Sequence, residues 1–264
     1  MSTTSCPPTT ITLSTTEFDV CWDLLGLGEA PVGLNLGVSP GVTWEERRRL
    51  IDQTHIELIR RQLADTISLV TELTEALILL RRHDWTIVGH TATATGRLRH
   101  TLGAVGRAMG VIADRDGDQI TLRRLADYRV VPETVGAIGE VQAGTGESVS
   151  VRAEDLLAAG RAAKGNPQVL AEVLIESGVR ADEARALAGM SDTPRQQGQF
   201  TVLAADRDGT PRHASRSLSF HDTAKGRYLQ VGKGRPGDRW ITVTPADNTK
   251  IIGALHELID ETRG

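Results

Sequence analysis

An α+β fold is predicted by three features of the sequence. Hydrophobic residues recur at helical spacing in some blocks and at near-alternate spacing in others. The short-period blocks come as consecutive runs joined by turns bearing Gly and Asp. The resulting order is helices, antiparallel strands, helices, antiparallel strands, helix, whereas a doubly wound parallel sheet would alternate single strands with single helices.

Residues 1–13 are read as a disordered tail, because Thr, Ser and Pro dominate and no apolar period emerges. Ser14-Thr15-Thr16-Glu17 then has the spacing of a capping box, and Phe18, Cys21, Trp22 and Leu25 follow at helical intervals. Gly26 or Gly28 ends that helix. The segment Val32–Val38, bounded by Pro31 and Pro40, reads as a short strand or edge segment. A second capping-box spacing, Thr43 to Glu46, opens a helix to about Leu63, with Ile51, Leu58, Ile59 and Leu63 on its apolar face. A further helix is expected from about Thr66 to Arg82, striped by Val70, Leu73, Leu77 and Leu80.

From Trp85 the period shortens, and four strands are expected at about 85–91, 97–104, 107–114 and 119–124. Asp114-Arg115-Asp116-Gly117-Asp118 is the clearest hairpin turn, since Gly and Asp tolerate positive φ. Helices return at Pro132–Val141 and, after a loop containing Gly144 and Gly146, at about 153–163, 166–177 and 181–190. The short gaps at Gly165 and Gly178 predict a tight helical cluster. Strands resume at about 198–206, 212–221, 226–232 and 238–243, with Asp206-Arg207-Asp208-Gly209 as a second hairpin turn. Thr244 and Pro245 have the pattern of an N-cap followed by Pro, opening a last helix to about Asp260.

These elements divide into an N-terminal half, 14–128, and a C-terminal half, 129–264, of one compact domain. The phrases Val111-Ile112-Ala113-Asp114-Arg115-Asp116-Gly117 and Leu203-Ala204-Ala205-Asp206-Arg207-Asp208-Gly209 hint that the halves are similar, although this turn chemistry is common.

Composition narrows the function. With 264 residues, 39% of them hydrophobic, the chain is long enough for a substantial core. A net charge of −4 argues against general nucleic-acid binding, which depends on neutralising phosphates. Cys6 and Cys21 are the only cysteines; a disulfide between them is one reading, and a pair of buried or idle thiols, which suits a reducing compartment, is the preferred one. The N-terminus lacks the basic and apolar regions of a secretion signal, and no uncharged apolar run approaches the ~20 residues of a membrane helix. The expectation is a cytoplasmic protein with no membrane partner.

Chemical motifs fail on context. Gly232-Lys233-Gly234-Arg235-Pro236-Gly237 has the letters of a dinucleotide loop, but Trp240-Ile241-Thr242-Val243 makes a strand next where the pyrophosphate would need a helix N-terminus. Asp114, Asp116 and Asp118 match the first ligands of a calcium loop, yet Gln119 stands where Gly is required and Leu125 where a bidentate Glu is required. The seven histidines include no pair at the i, i+4 spacing of a zinc protease. No P-loop and no nucleophile elbow occurs. Arg47-Arg48-Arg49 and Arg60-Arg61 share their helix with Glu45, Glu46, Asp52 and Glu57, as a salt-paired solvated face would. Neither an enzyme nor a cofactor or metal site is expected.

Several segments in this order resemble the EspG family of type VII (ESX) secretion chaperones. They are Glu17–Gly26, the turn Ser39-Pro40-Gly41 before Glu45-Glu46-Arg47, and Asp84-Trp85 entering the first long strand. Further on they are Gly198-Gln199-Phe200, then Asp222-Thr223-Ala224-Lys225-Gly226-Arg227-Tyr228, then Trp240–Asp247 before the last helix. The similarity runs from about Ser14 to Ile259. It implies a central antiparallel sheet flanked by two helical bundles, in a two-lobed, pseudo-two-fold molecule. It also implies a cytosolic chaperone, found in actinobacteria, that binds the hydrophobic helical tip of the PPE subunit of a PE–PPE heterodimer, keeps it soluble and delivers it for export. An exposed apolar tip is an aggregation hazard, so covering it is a physical need. By the same resemblance the partner contacts come from the sheet, the C-terminal bundle at roughly Ala153–Met190, and the loop after the first long strand. That loop matches Thr91, Ala92, Thr93, Ala94, Thr95, Gly96 and Arg97. Other readings are an adaptor or regulatory protein of the same fold binding another partner, with self-association as one form, or a small-molecule binder.

Overall fold

Ser14 ends a strand and begins a helix, and that double role sets the N-terminal layout. In a computed structural model, which describes residues 10–41, 43–205, 211–235 and 237–264, strand β1 spans Thr10–Ser14 and helix α1 spans Thr15–Leu24. The Ser14 side chain accepts from the Glu17 backbone N–H, and the Glu17 carboxylate accepts from Ser14 N–H, which completes the expected capping box. Residues 1–9, including Cys6, lie outside the described residues. Thr10–Ser14 correct the tail reading, because Ile11 and Leu13 alternate inward and pair with a later strand.

The chain divides into two compact units: the described residues up to Val88 with Arg99–Val130, and Gly89–Leu98 with Val131–Gly264. In the first, α2 spans Trp44–Arg60 and carries the expected Thr43–Glu46 capping box. Helix α3 spans only Thr71–Arg81. Its expected start at Thr66 is displaced because the Asp65 carboxylate accepts from the backbone N–H groups of Ile67 and Ser68, at 2.7 Å each, which makes a local turn of that stretch. Val32–Val38 is not a strand. Val32–Leu34 form a 3-10 turn, Asn35 is left-handed, and Arg115 donates to the carbonyl oxygens of Leu34 and Asn35. Those carbonyls are therefore turned to a side chain and not to a sheet neighbour.

Strands β2 (Trp85–Thr93), β3 (Leu98–Gly106), β4 (Met109–Asp116) and β5 (Gln119–Ala126) fall where sequence periodicity puts them. The first unit's strand order is β1-β5-β4-β3-β2. The β4–β5 turn at Gly117-Asp118 is the predicted hairpin. Its outer edge is closed by side chains: Arg61 donates to the Thr12 carbonyl and pairs with Glu17 at 2.6 Å, while Glu17 holds Ser14 N–H.

A short helix α4 covers Val130–Gly136, all but its first residue in the second unit, ending sooner than the expected Val141. A strand absent from the sequence reading follows, β6 at Val149–Arg152. Helices α5 (Ala153–Ala163), α6 (Pro167–Glu176) and α7 (Ala181–Met190) match their expected spans closely. Then come β7 (Gln196–Ala205), β8 (Pro211–His213), β9 (Leu218–Thr223), β10 (Gly226–Lys233) and β11 (Trp240–Pro245). The single strand expected at 212–221 is thus two, β8 and β9, and the turn Asp206–Gly209 lies outside the described residues. Helix α8 spans Asn248–Arg263. Its N-cap is Asp247, whose side chain accepts from Lys250 N–H, while Thr244 and Pro245 belong to β11.

The second unit's order is β7-β9-β10-β11-β6, with β8 on β7. Helices α5 to α7 pack on one face through Leu170, Leu174, Leu187 and Met190 against Val149, Val151, Tyr228 and Val243. Helix α8 packs against β7. Each unit follows one path: an edge strand, three helices, then a meander whose last strand returns to pair with that edge strand.

Candidate functional site

The residues singled out from sequence lie at the β2–β3 turn, and all seven belong to the second unit. Thr91, Ala92 and Thr93 are the half-buried end of β2; Ala94, Thr95, Gly96 and Arg97 are exposed. The turn is closed by Thr93 N–H to the Arg97 carbonyl at 3.0 Å and Gly96 N–H to the Thr93 carbonyl at 2.9 Å. The Thr93 hydroxyl accepts from Arg97 N–H at 3.2 Å and lies 2.8 Å from the Thr95 hydroxyl. Gly96 sits at φ +80°, the left-handed position a three-residue hairpin of this kind requires. The small hydroxyl residues therefore hold the turn's own shape, and the tip presents backbone, methyl groups, the Arg97 side chain and Leu98, which is 57% exposed.

Two residues outside this set fasten the turn. Ala94 N–H donates to the Arg195 carbonyl at 2.8 Å. Gly198 on β7 lies so close that a Cβ there would stand 2.6 Å from the His90 carbonyl oxygen and 2.9 Å from Thr91 Cγ2. The segment leading into β7 thus supports the turn, and only a residue without a side chain fits at 198. Sequence reading singled out Gly198 as a family residue but had no sign of this contact.

The same segment leads back to the helical cluster. At the ends of α5 and α6 lies a groove of about 270 Å³. Leu156, Ala163, Pro167, Leu170 and Val243 line it with apolar surface. Asn166, Ser191 and Gln230 are its polar side chains. Leu157 and Ile175 are exposed on the same helices. Behind the groove, buried His221 lies 2.8 Å from the Met190 carbonyl through Nε2 and 3.2 Å from Gln230 Nε2 through Nδ1. Burial holds its pKa below the ordinary imidazole value, against the opposing pull of the Met190 carbonyl and of Asp222.

In the first unit a cleft of about 670 Å³ is lined by α1, by residues 28–30 and 36–40 on either side of the 3-10 turn, and by Arg47 of α2. Arg47 bridges Asp19 and Asp23 along its wall, and Asp19 also accepts from the Ser39 hydroxyl. The solvated face expected of this helix is carried by Arg49–Glu45 and Arg60–Glu57, whereas Arg47 turns to α1 instead.

The motifs set aside on context take the places expected of them. Gly232–Gly237 connects strands β10 and β11, although Pro236 itself lies outside the described residues. Asp114 accepts from the Thr101 hydroxyl at 2.7 Å and faces Arg123, Asp116 faces Arg99 at 3.8 Å, and Asp118 accepts from Thr15. The three carboxylates thus point to separate partners. Among the described residues no group of three or more His, Cys, Asp and Glu side chains could hold a metal ion, and no helix is long and apolar enough to cross a membrane.

Comparison with known proteins supplies the remaining observation. The sequence profile of the EspG family matches residues 14–257. Among solved structures, the fold is similar to that of the Mycobacterium tuberculosis type VII secretion system chaperone EspG5, determined in complex with a PE25–PPE41 dimer. The TM-score is 0.74 at 16% sequence identity, over 97% of each chain. No curated protein matches the chain.

Proposed function

The chain belongs to the EspG family, and from that premise we propose that it is a cytoplasmic type VII secretion chaperone. It binds the hydrophobic helical tip of the PPE subunit of a PE–PPE heterodimer, keeps the pair soluble and hands it on for export. It acts by covering surface and without chemistry. The observation that carries this reading is the family match over residues 14–257, which takes in both the β2–β3 turn and the groove beside the helical cluster.

The physical requirements of the task suit this surface. A client tip needs a recess with apolar surface to leave water, and the groove offers one of side-chain size, apolar at Leu156, Ala163, Pro167, Leu170 and Val243 and polar at three side chains. The turn at Thr91–Arg97 contributes a second contact whose shape is fixed by its own hydrogen bonds, so that little entropy is lost when a partner meets it.

Co-expression with each PE–PPE pair encoded at the same locus, followed by size-exclusion chromatography, tests the reading. A co-eluting complex of one chaperone with one PE–PPE pair is expected. Separate elution for every local pair would sink it.

A further inference from the structure

The three polar side chains of the groove are already bonded inside the protein, and those bonds decide what each offers to an occupant. Asn166 Oδ1 accepts from Gln168 N–H at 2.9 Å as the N-cap of α6. The Ser191 hydroxyl donates to the Leu187 carbonyl at 2.9 Å. Gln230 is the informative one. His221 Nε2 lies 2.8 Å from the Met190 carbonyl oxygen, which only accepts, so Nε2 carries the ring proton. In the neutral ring Nδ1 is then a lone pair, and the Gln230 amide nitrogen, 3.2 Å away, donates to it. The reverse orientation would set the amide oxygen against that lone pair. Gln230 Oε1 is therefore the end left over from that bond, an acceptor on a residue that lines a groove of mixed apolar and polar side chains.

We propose that the groove takes an apolar side chain bearing one hydrogen-bond donor from the client tip, and that Gln230, oriented by His221, selects it. This rests on the chaperone reading above. An occupant without a donor would strip water from Oε1 and give nothing back, whereas one with an N–H or O–H replaces the water bond. The groove is also continuous along the chain with the β2–β3 turn: Ser191 lines the groove, and Arg195, four residues on, holds Ala94. His221 is a positioning residue here, because its ring acts through the amide.

The arrangement makes the preference depend on the ring's protonation. Facing His221 are the Tyr228 ring, stacked at 5.3 Å, the Met190 carbonyl and the Gln230 amide. Lys225 Nζ donates to the neighbouring Gly189 carbonyl at 3.0 Å, and Asp222, next in sequence, is turned to the opposite sheet face and paired with Arg227. A proton on Nδ1 would meet the amide nitrogen, and the pair reforms only if the amide turns over and shows its NH2 to the groove. Donor selection is then lost in acid.

The test has two parts. Nitrogen-15 spectra of the client-free chain read the ring tautomer directly; Nε2–H with unprotonated Nδ1 at neutral pH is expected, and the Nδ1–H tautomer would overturn the proposal. With the PE–PPE pair that co-elutes with the wild type, Gln230→Met is expected to weaken binding about five- to tenfold, measured well below a melting temperature that falls slightly because His221 Nδ1 loses its donor. His221→Phe is expected to flatten the fall in affinity that the wild type shows on acidification. Wild-type affinity for Gln230→Met at every pH refutes the inference while leaving the chaperone reading intact. Failure of the wild type to bind any local pair refutes the chaperone reading, and with it the client half of the inference.

Discussion

Arg227 faces Asp222 directly across the β9–β10 pair, and its Nε and Nη2 donate to the two carboxylate oxygens at 2.7 and 2.8 Å. The guanidinium is fully buried, and its remaining donors go to Asn248 Oδ1 and to the carbonyls of Ile138 and Gly139. All five N–H groups are thus satisfied, with the Phe220 ring 5.1 Å from the guanidinium carbon. One side chain ties the β9–β10 turn to the start of α8 and to the loop after α4. Replacing it strands a buried carboxylate and two carbonyls. Arg227→Ala is expected to lose about 3–5 kcal/mol of stability, and Asp222→Asn less, because the amide oxygen still accepts. Denaturant unfolding of the three proteins measures the ranking; equal midpoints would contradict it.

Gly198→Ala tests the docking of the β2–β3 turn. The added methyl group would stand 2.6 Å from both the His90 carbonyl oxygen and Phe220 Cε1, and neither backbone nor a packed ring gives way easily. A loss of about 1–3 kcal/mol is expected, with faster hydrogen exchange concentrated at residues 91–97. Unchanged exchange there would mean that Gly198 does not support the turn.

Much of this fold was legible because its signals are local. The two capping boxes, Ser14–Glu17 and Thr43–Glu46, form as their spacing predicts. Helices α5, α6 and α7 are separated at the places that Gly165 and Gly178 punctuate. What escaped depends on distant partners. Thr10–Ser14 is a strand only because β5 lies beside it, and Val149–Arg152 only because β11 does. The shared Asp-Arg-Asp-Gly phrase suggested similar halves, but its first copy turns the last two strands of one meander while its second begins after the first strand of the other. The topological repeat resides in strand order, which no short phrase encodes. The candidate site divides the same way: the turn at Thr91–Arg97 is a proposal drawn from family resemblance, whereas the contact of His221 with Gln230 joins side chains on adjacent strands and left no mark in sequence.

Cys21 is expected to be unreactive in the folded protein. The thiol is buried, and burial, aided by the Glu17 carboxylate, pushes its pKa up to about 12 despite the nearby Arg61. Iodoacetamide at pH 8 should therefore leave Cys21 unmodified under native conditions and alkylate it in denaturant, read by peptide mass spectrometry. Rapid native labelling at Cys21 would contradict the packing of α1.

His221 makes stability depend on pH, and the sign follows from its burial. The unfolded chain takes up the imidazole proton near the ordinary value of about 6.5. In the folded protein burial lowers the pKa, so the proton is accepted only at lower pH. Between the two values the unfolded state binds more protons, and stability rises with pH there. The contribution is complete above about pH 6.5 and is lost as pH falls through the folded-state value. The melting temperature is thus expected to fall on acidification below about pH 6.5, with this one group adding a slope of at most about 1.4 kcal/mol per pH unit. His221→Gln removes the titrating ring and should flatten that part of the profile relative to the wild type. If both proteins show the same acid slope, the dependence arises elsewhere and His221 is not held neutral by its surroundings.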